Sequence, residues 1–397
     1  MVRKREGQGE VGKVLLVFGT RPEAIKMAPV IRSLKERPEP FEVITCVTAQ
    51  HRRMLDQVLS IFSITPDYDL DIMKEDQDLF DVTVRALSGL REIYEATKPD
   101  VVLAQGDTTT AFVAGLAAYY FRIPVGHVEA GLRTWNKYSP FPEEANRRLL
   151  SVVADYHFAP TEWSRSNLLA EGVAPGSVWV TGNTVIDALM MINEKQEAGR
   201  AGSALMRAFR DRWGIDLSDG RRMILVTGHR RENFGTGFRD ICTALKSIAR
   251  ERPDVSIVYP VHLNPSVQRP VREILSGVPN IHLIEPVEYE QFVFLMNRSY
   301  LILTDSGGVQ EEAPSLGKPV LVMREVTERP EGVEAGVVRL VGTDRETIVG
   351  SVSELLDDDV TYRRMAEAVN PYGDGKAALR IADILASNIA GNSGARS

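Results

Sequence analysis

Residues 13–23 read KVLLVFGTRPE and residues 223–235 read MILVTGHRRENFG. Each is a short, β-branched apolar run that stops at a glycine and continues with Thr or His and then arginine. Runs of this length, ended by glycine, read as fully buried strands. FEVITCV, DVVLAQ, IPVGHV and YHFAP follow the first of them, and VSIVYPV, NIHLIE, YLILT and PVLVM follow the second, with helical patterns between. Continuously apolar strands separated by helices imply parallel sheets covered on both faces. The expected fold is therefore α/β, with two doubly wound, Rossmann-like domains. Ligands of such sheets bind outside the carboxyl ends of the strands, so two edges facing each other would put the site in a central cleft.

The expected boundaries follow from composition. Residues 1–12, MVRKREGQGEVG, read as a mobile extension, because the VLLVF that follows is too short for a signal h-region. Residues 13–181 form the first domain and 182–371 the second, with the hinge close to Gly182 and a closing helix over 372–390 folding back onto the first half. The polar, Gly- and Arg-rich segment from Glu194 to Gly220 reads as a connecting or peripheral region.

The chain has 397 residues, 44% hydrophobic and 25% charged, which suits two ordinary globular domains. Its net charge of -7 argues against a general nucleic-acid binder and makes any anion site local. No run is long enough to span a membrane. Cys46 and Cys242 form no metal or disulfide pattern, as suits a reducing cytoplasm.

The polar residues that directly follow strands are Arg21 and Lys26, Asp107, Glu129, His229 and Arg230, His262, and the stretch TDSGGVQEEAPSLGKP at 304–319. For Asp107, before TTTA, two readings stand: a helix cap or a strand-end carboxylate. As a set, two strand-end arginines, two histidines and a glutamate have no use as caps. Arg21, Lys26, His229 and Arg230 supply cations, and Ser306, Gly307 and Gly308 supply N–H donors at a helix start, a combination suited to a diphosphate. Glu312 falls on the side of Ser306, where a carboxylate can accept both hydroxyls of a ribose. Glu311 points elsewhere, as a solvated or structural residue. Glu143 and Glu144 begin a helix after a Pro-rich loop; Glu143 either serves the helix dipole or joins Asp107 and Glu129 around a sugar ring. DYDLD, at 67–71, has the form of a metal site but lies in a connection, and no metal is assigned. DDD at 357–359 reads as a solvated cap.

These motifs carry a resemblance. FGTRPEAIKMAPV, QGDTTT, HVEAGLRT, PFPEEANR, TGHRRENFG, TDSGGVQEEAPSLGKPVLVMREVTERPE and NPYGDGKA together resemble the non-hydrolysing UDP-N-acetylglucosamine 2-epimerases, over Lys13 to about Leu385. The resemblance implies a GT-B-like fold, interconversion of UDP-GlcNAc and UDP-ManNAc without NAD or metal, and a homodimer. It implies catalytic and phosphate-contacting roles for Arg21, Lys26, Asp107, Glu129, Glu143 and His229. It implies UDP binding by Ser306, Gly307, Glu312 and Arg329, with Phe292 against the uracil. Many bacterial members bind a second UDP-GlcNAc as an activator, and Gln50, Glu143, Arg230 and His262 match that pocket. Arg53 stands where a glutamine is expected and Asp76 where an arginine is usual, an anion beside a diphosphate. Rival readings are a hydrolysing relative, a GT-B glycosyltransferase and a non-catalytic nucleotide-sugar sensor.

Overall fold

A computed structural model describes residues 12–37, 41–49, 52–74, 76–198 and 200–392. The N-terminal extension lies almost wholly outside the described residues. The chain forms two compact units, one running to Ala188 and resuming at Gly373, the other covering Leu189–Tyr372.

The first unit holds a seven-stranded sheet of β1 (Lys13–Phe18), β2 (Glu42–Val47), β3 (Tyr68–Asp69), β4 (Val101–Gln105), β5 (Val125–Val128), β6 (Tyr156–Ala159) and β7 (Val178–Val180). Their order is β3-β2-β1-β4-β5-β6-β7, and every pairing is parallel. The second unit holds β8 (Arg222–Thr227), β9 (Val255–Pro260), β10 (Ile281–Ile284), β11 (Leu301–Thr304), β12 (Val320–Val322) and β13 (Val338–Leu340). Their order is β10-β9-β8-β11-β12-β13, again all parallel. Both sheets are doubly wound, and in each the strand order reverses beside the first strand, between β1 and β4 and between β8 and β11.

The sheets are buried on both faces, as the apolar runs require: Val14 to Phe18 and Leu301 to Leu303 have no exposed surface. Each such side chain contributes roughly 1.5–3 kcal/mol through burial. Helix Ala377–Asn392 packs on helix Arg21–Lys35 within the first unit. Cys46 and Cys242 are free and buried, and burial pushes both thiols up to about 12. Among the described residues no helix is long and apolar enough to cross a membrane.

One local reading is corrected. Tyr68–Asp69 of DYDLD is not a connection but an edge strand. Its acids have partners, Asp67 accepting from the Thr45 N–H and hydroxyl and both Asp69 and Asp71 pairing with Arg52. The segment after Glu194 carries helix Arg200–Trp213, which buries Phe209 completely, with its ring 6.0 Å from that of Phe294. The compact units divide inside helix Thr184–Glu197, past Gly182. Asp358 is a cap, accepting from the N–H groups of Val360 and Thr361.

Candidate active site

In the first unit the residues gather where the strand order reverses. Gly19 ends β1 so closely against its neighbours that a Cβ there would stand 2.0 Å from Thr48 Oγ1, which no side chain tolerates. Arg21 then opens its helix, and the buried Glu23 accepts from the N–H groups of Gly19 and Thr20 at 2.9 and 2.7 Å and from Thr108 Oγ1 at 2.6 Å. Burial raises the Glu23 carboxyl above its usual range, against the pull of these donors. Glu23 thus ties the loop carrying Arg21 to the loop carrying Asp107.

Lys26 donates to the carboxylate of Glu129, which also accepts from Gln105 Nε2 and, at 3.0 Å, from Asn183 Nδ2. Glu129 is buried and has a left-handed backbone, φ 67°, a conformation that costs a non-glycine residue on the order of 1 kcal/mol. Asp107 is not the helix cap: Thr108 takes that place, accepting from the Ala111 N–H. The Asp107 carboxylate accepts from Arg147 and its carbonyl from Asn146 Nδ2. Arg147 and Asn146 belong to helix Glu143–Val153, whose first residue has a buried Oε2 with no hydrogen-bond partner among the described residues. Its neighbour Glu144 is fully buried and accepts from the N–H groups of Thr134 and Trp135, which anchors the preceding loop. Glu144 is therefore structural and leaves the free carboxylate oxygen to Glu143.

The second unit repeats the plan at β8 and β11. Thr227 and Thr304 join their hydroxyls across the strand ends at 2.6 Å. The fully buried Asp305 accepts the N–H groups of His229 and Arg230, both at 2.8 Å. The His229 ring stacks on exposed His262 with centroids 5.4 Å apart. Its pKa is lowered, first by burial and then by Arg230 and His262, while Asp305 opposes them. Arg230 has a buried Nε with no partner among the described residues.

Ser306 is the N-cap of helix Gly307–Glu312. The Arg329 guanidinium lies over Gly307, 2.6 Å from where a Cβ would stand, and donates to Glu311 Oε1 at 2.7 Å and to Glu328. Glu311 is thus the structural partner of Arg329 and not a solvated residue. Glu312, also buried, accepts from the Tyr289 hydroxyl at 2.6 Å and turns its Oε2 back toward Gly308. Phe292 sits half-buried on helix Tyr289–Arg298, one turn after Tyr289.

The model of the UDP-N-acetylglucosamine 2-epimerase family matches residues 32–386. The chain belongs to this family. It is 59% identical to the UDP-N-acetylglucosamine 2-epimerase of Escherichia coli K12 over 95% of this chain and 99% of that one. The Yersinia pestis epimerase is also 59% identical, over 94% and 98%. A crystal structure of the Neisseria meningitidis epimerase, bound to UDP-GlcNAc, superposes with a TM-score of 0.85 at 54% identity, covering 95% of this chain and all of that one.

Within the epimerase fold, the residues that hold the site residues were not singled out from the sequence: Glu23, Gln105, Arg147, Asn183, Tyr289 and Asp305. Glu23 and Asp305 stand inside quoted motifs, GTRPE and TDSGG; the available signal was, for Asp305, an acid directly after a strand and, for Glu23, an acid three residues after Thr20 in the spacing of a capping box. Asn183 and Tyr289 had none, because their partners are distant in sequence. Of the expected activator residues, Gln50 and the side chain of Arg53 lie outside the described residues, and Asp76 is exposed with φ 53°.

Proposed function

We propose that this protein reversibly epimerises UDP-GlcNAc to UDP-ManNAc at C2, by eliminating UDP and adding it back. The C2 proton is not beside a carbonyl, so its direct removal is unfavourable. Breaking the C1–O bond first gives C1 oxocarbenium character and acidifies C2. The bonding pair leaves with the β-phosphate oxygen, and a carboxylate takes the C2 proton to give 2-acetamidoglucal. Return of a proton to the other face of C2 and attack of UDP on C1 complete the epimerisation.

The two units divide this chemistry. Arg21, Lys26, His229 and Arg230 offset the charge on the departing diphosphate, with the N–H groups of Gly307 and Gly308; the Ser306 N–H, expected from the sequence to join them, donates instead to Thr304 Oγ1 at 2.9 Å. Glu312 takes the ribose, Phe292 the uracil, and Arg329 holds the cradle. Asp107, Glu129 and Glu143 transfer the protons at C2 and face the cationic sugar. The observation that carries the reading is the carboxylate set at the first reversal of strand order: Glu129 on Lys26, Asp107 on Arg147, and Glu143 with a buried oxygen that has no partner among the described residues. The relative crystallised with UDP-GlcNAc supports the choice of sugar nucleotide. The reading extends to a cytoplasmic homodimer, domains at 13–181 and 182–371 with the closing helix on the first, and supply of ManNAc units for a cell-surface polysaccharide or glycoconjugate.

Proton NMR with UDP-GlcNAc in D2O, with EDTA and no added NAD, tests it. UDP-ManNAc should grow in with deuterium at C2 and UDP attached at equilibrium. Free UDP with free ManNAc would mean a hydrolase, and no turnover despite UDP binding a transferase or a sensor. A sigmoidal rate in substrate would show an activator pocket that survives Arg53 and Asp76.

A further inference from the structure

We infer that Asp305 is a positioning residue for His229: it anchors the histidine's backbone with one carboxylate oxygen and orients the imidazole with the other, leaving Nε2 free for the diphosphate. The inference rests on His229 being a diphosphate contact. Asp305 has no exposed surface. Its Oδ2 accepts from the N–H groups of His229 and Arg230, both at 2.8 Å, with Asn233 Nδ2 at 3.4 Å. Its Oδ1 is buried, makes no close hydrogen bond to a described residue, and lies 3.4 Å from His229 Nδ1. A buried carboxylate oxygen left in this state is costly, and the ring nitrogen is the donor within reach.

Two consequences follow. A proton on Nδ1 directed at Asp305 makes Nε2 the free nitrogen of the neutral ring, and protonation then turns Nε2 into a donor to a phosphate oxygen. The charged groups acting on the ring are Asp305 from the end of β11, Arg230 beside it in its own loop, and His262 after β9. Only Asp305 favours the protonated ring, so it keeps His229 able to meet the charge that develops on departing UDP.

The test is two-bond 1H–15N NMR of the histidine-labelled full chain, wild type and Asp305→Asn, with kcat and KM measured against pH. The asparagine oxygen still accepts the two backbone N–H groups. In wild type, neutral His229 should be the Nδ1–H tautomer. In Asp305→Asn its titration should move to lower pH, kcat at neutral pH should fall about tenfold or more while KM changes less, and the alkaline limb of kcat should follow the NMR titration downward. An Nε2–H tautomer in wild type overturns the inference without any variant. So does an Asp305→Asn protein with the wild-type His229 titration, or one in which kcat and thermal stability fall together with no change in the ring. Wild-type protein that showed the expected tautomer but did not epimerise UDP-GlcNAc would count against the proposed function and leave the Asp305–His229 pairing standing.

Discussion

Glu311 and Glu312 are adjacent acids, and packing separates their work. Glu311 neutralises Arg329, whereas Glu312 is held by the Tyr289 hydroxyl with its second oxygen turned along the first turn of the helix. A carboxylate that is to accept two ribose hydroxyls benefits from a fixed rotamer, because the entropy of ordering it has been spent on folding. Tyr289→Phe removes that donor and keeps the ring. UDP affinity should weaken about 3- to 10-fold, corresponding to about 1 kcal/mol, with kcat little changed. Calorimetric titration with UDP beside steady-state kinetics measures both. An unchanged affinity would remove Tyr289 from the account of the ribose site.

At the scale of elements, the short helix Gly307–Glu312 starts with two glycines that differ in kind. A Cβ on Gly307 would displace the Arg329 guanidinium from its place beside buried Glu311, whereas a Cβ on Gly308 meets only Glu312 Oε2 at an ordinary 3.7 Å. Alanine gains about 1 kcal/mol of helix propensity at either position, and at Gly307 the disturbed ion pair outweighs it. Gly307→Ala should therefore lower stability by about 1–2 kcal/mol and weaken UDP binding, while Gly308→Ala should leave thermal stability equal or higher. Thermal melts of the pair with and without UDP decide it; equal behaviour of the two variants would contradict the packing argument. Elements also show where sequence pattern fails. β3, β7 and β13 escaped the apolar-run reading, and all three are edge strands of two or three residues, too short to form a run.

At the scale of the whole molecule, the chain leaves the first unit in helix Thr184–Glu197 and returns to it at Gly373. Asp187, on the outgoing helix, caps the returning one, accepting from the N–H groups of Ala377 and Ala378 at 3.2 and 2.8 Å. Burial raises its carboxyl to about 6 against these donors. Because the folded value lies above the unfolded one, the native state binds the extra proton. The associated stabilisation is complete below about pH 4 and is lost as pH rises through about 6, an effect of up to roughly 3 kcal/mol. Asp187→Asn should flatten this window: relative to wild type, the variant should be more stable at pH 7 than at pH 4. Urea unfolding at both pH values measures the difference, and a constant offset would show that Asp187 does not titrate there.

The amino-acid sequence alone determined the two parallel α/β domains, since strands buried on both faces must be apolar throughout and cannot hide that pattern. It also determined the family, because strand-end motifs such as GTRPEAIKMAP and GHRREN are local in the chain. Only tertiary structure decided that Thr108 and not Asp107 caps its helix, that Glu144 anchors the preceding loop while Glu143 does not, and that Asp305 stands behind His229. Each of these depends on which distant donor reaches which oxygen: Arg147 is 40 residues from Asp107, and Asp305 is 76 from His229. Residue type specifies what a side chain can accept or donate, whereas its partner is set by the packing of strands that are remote in sequence.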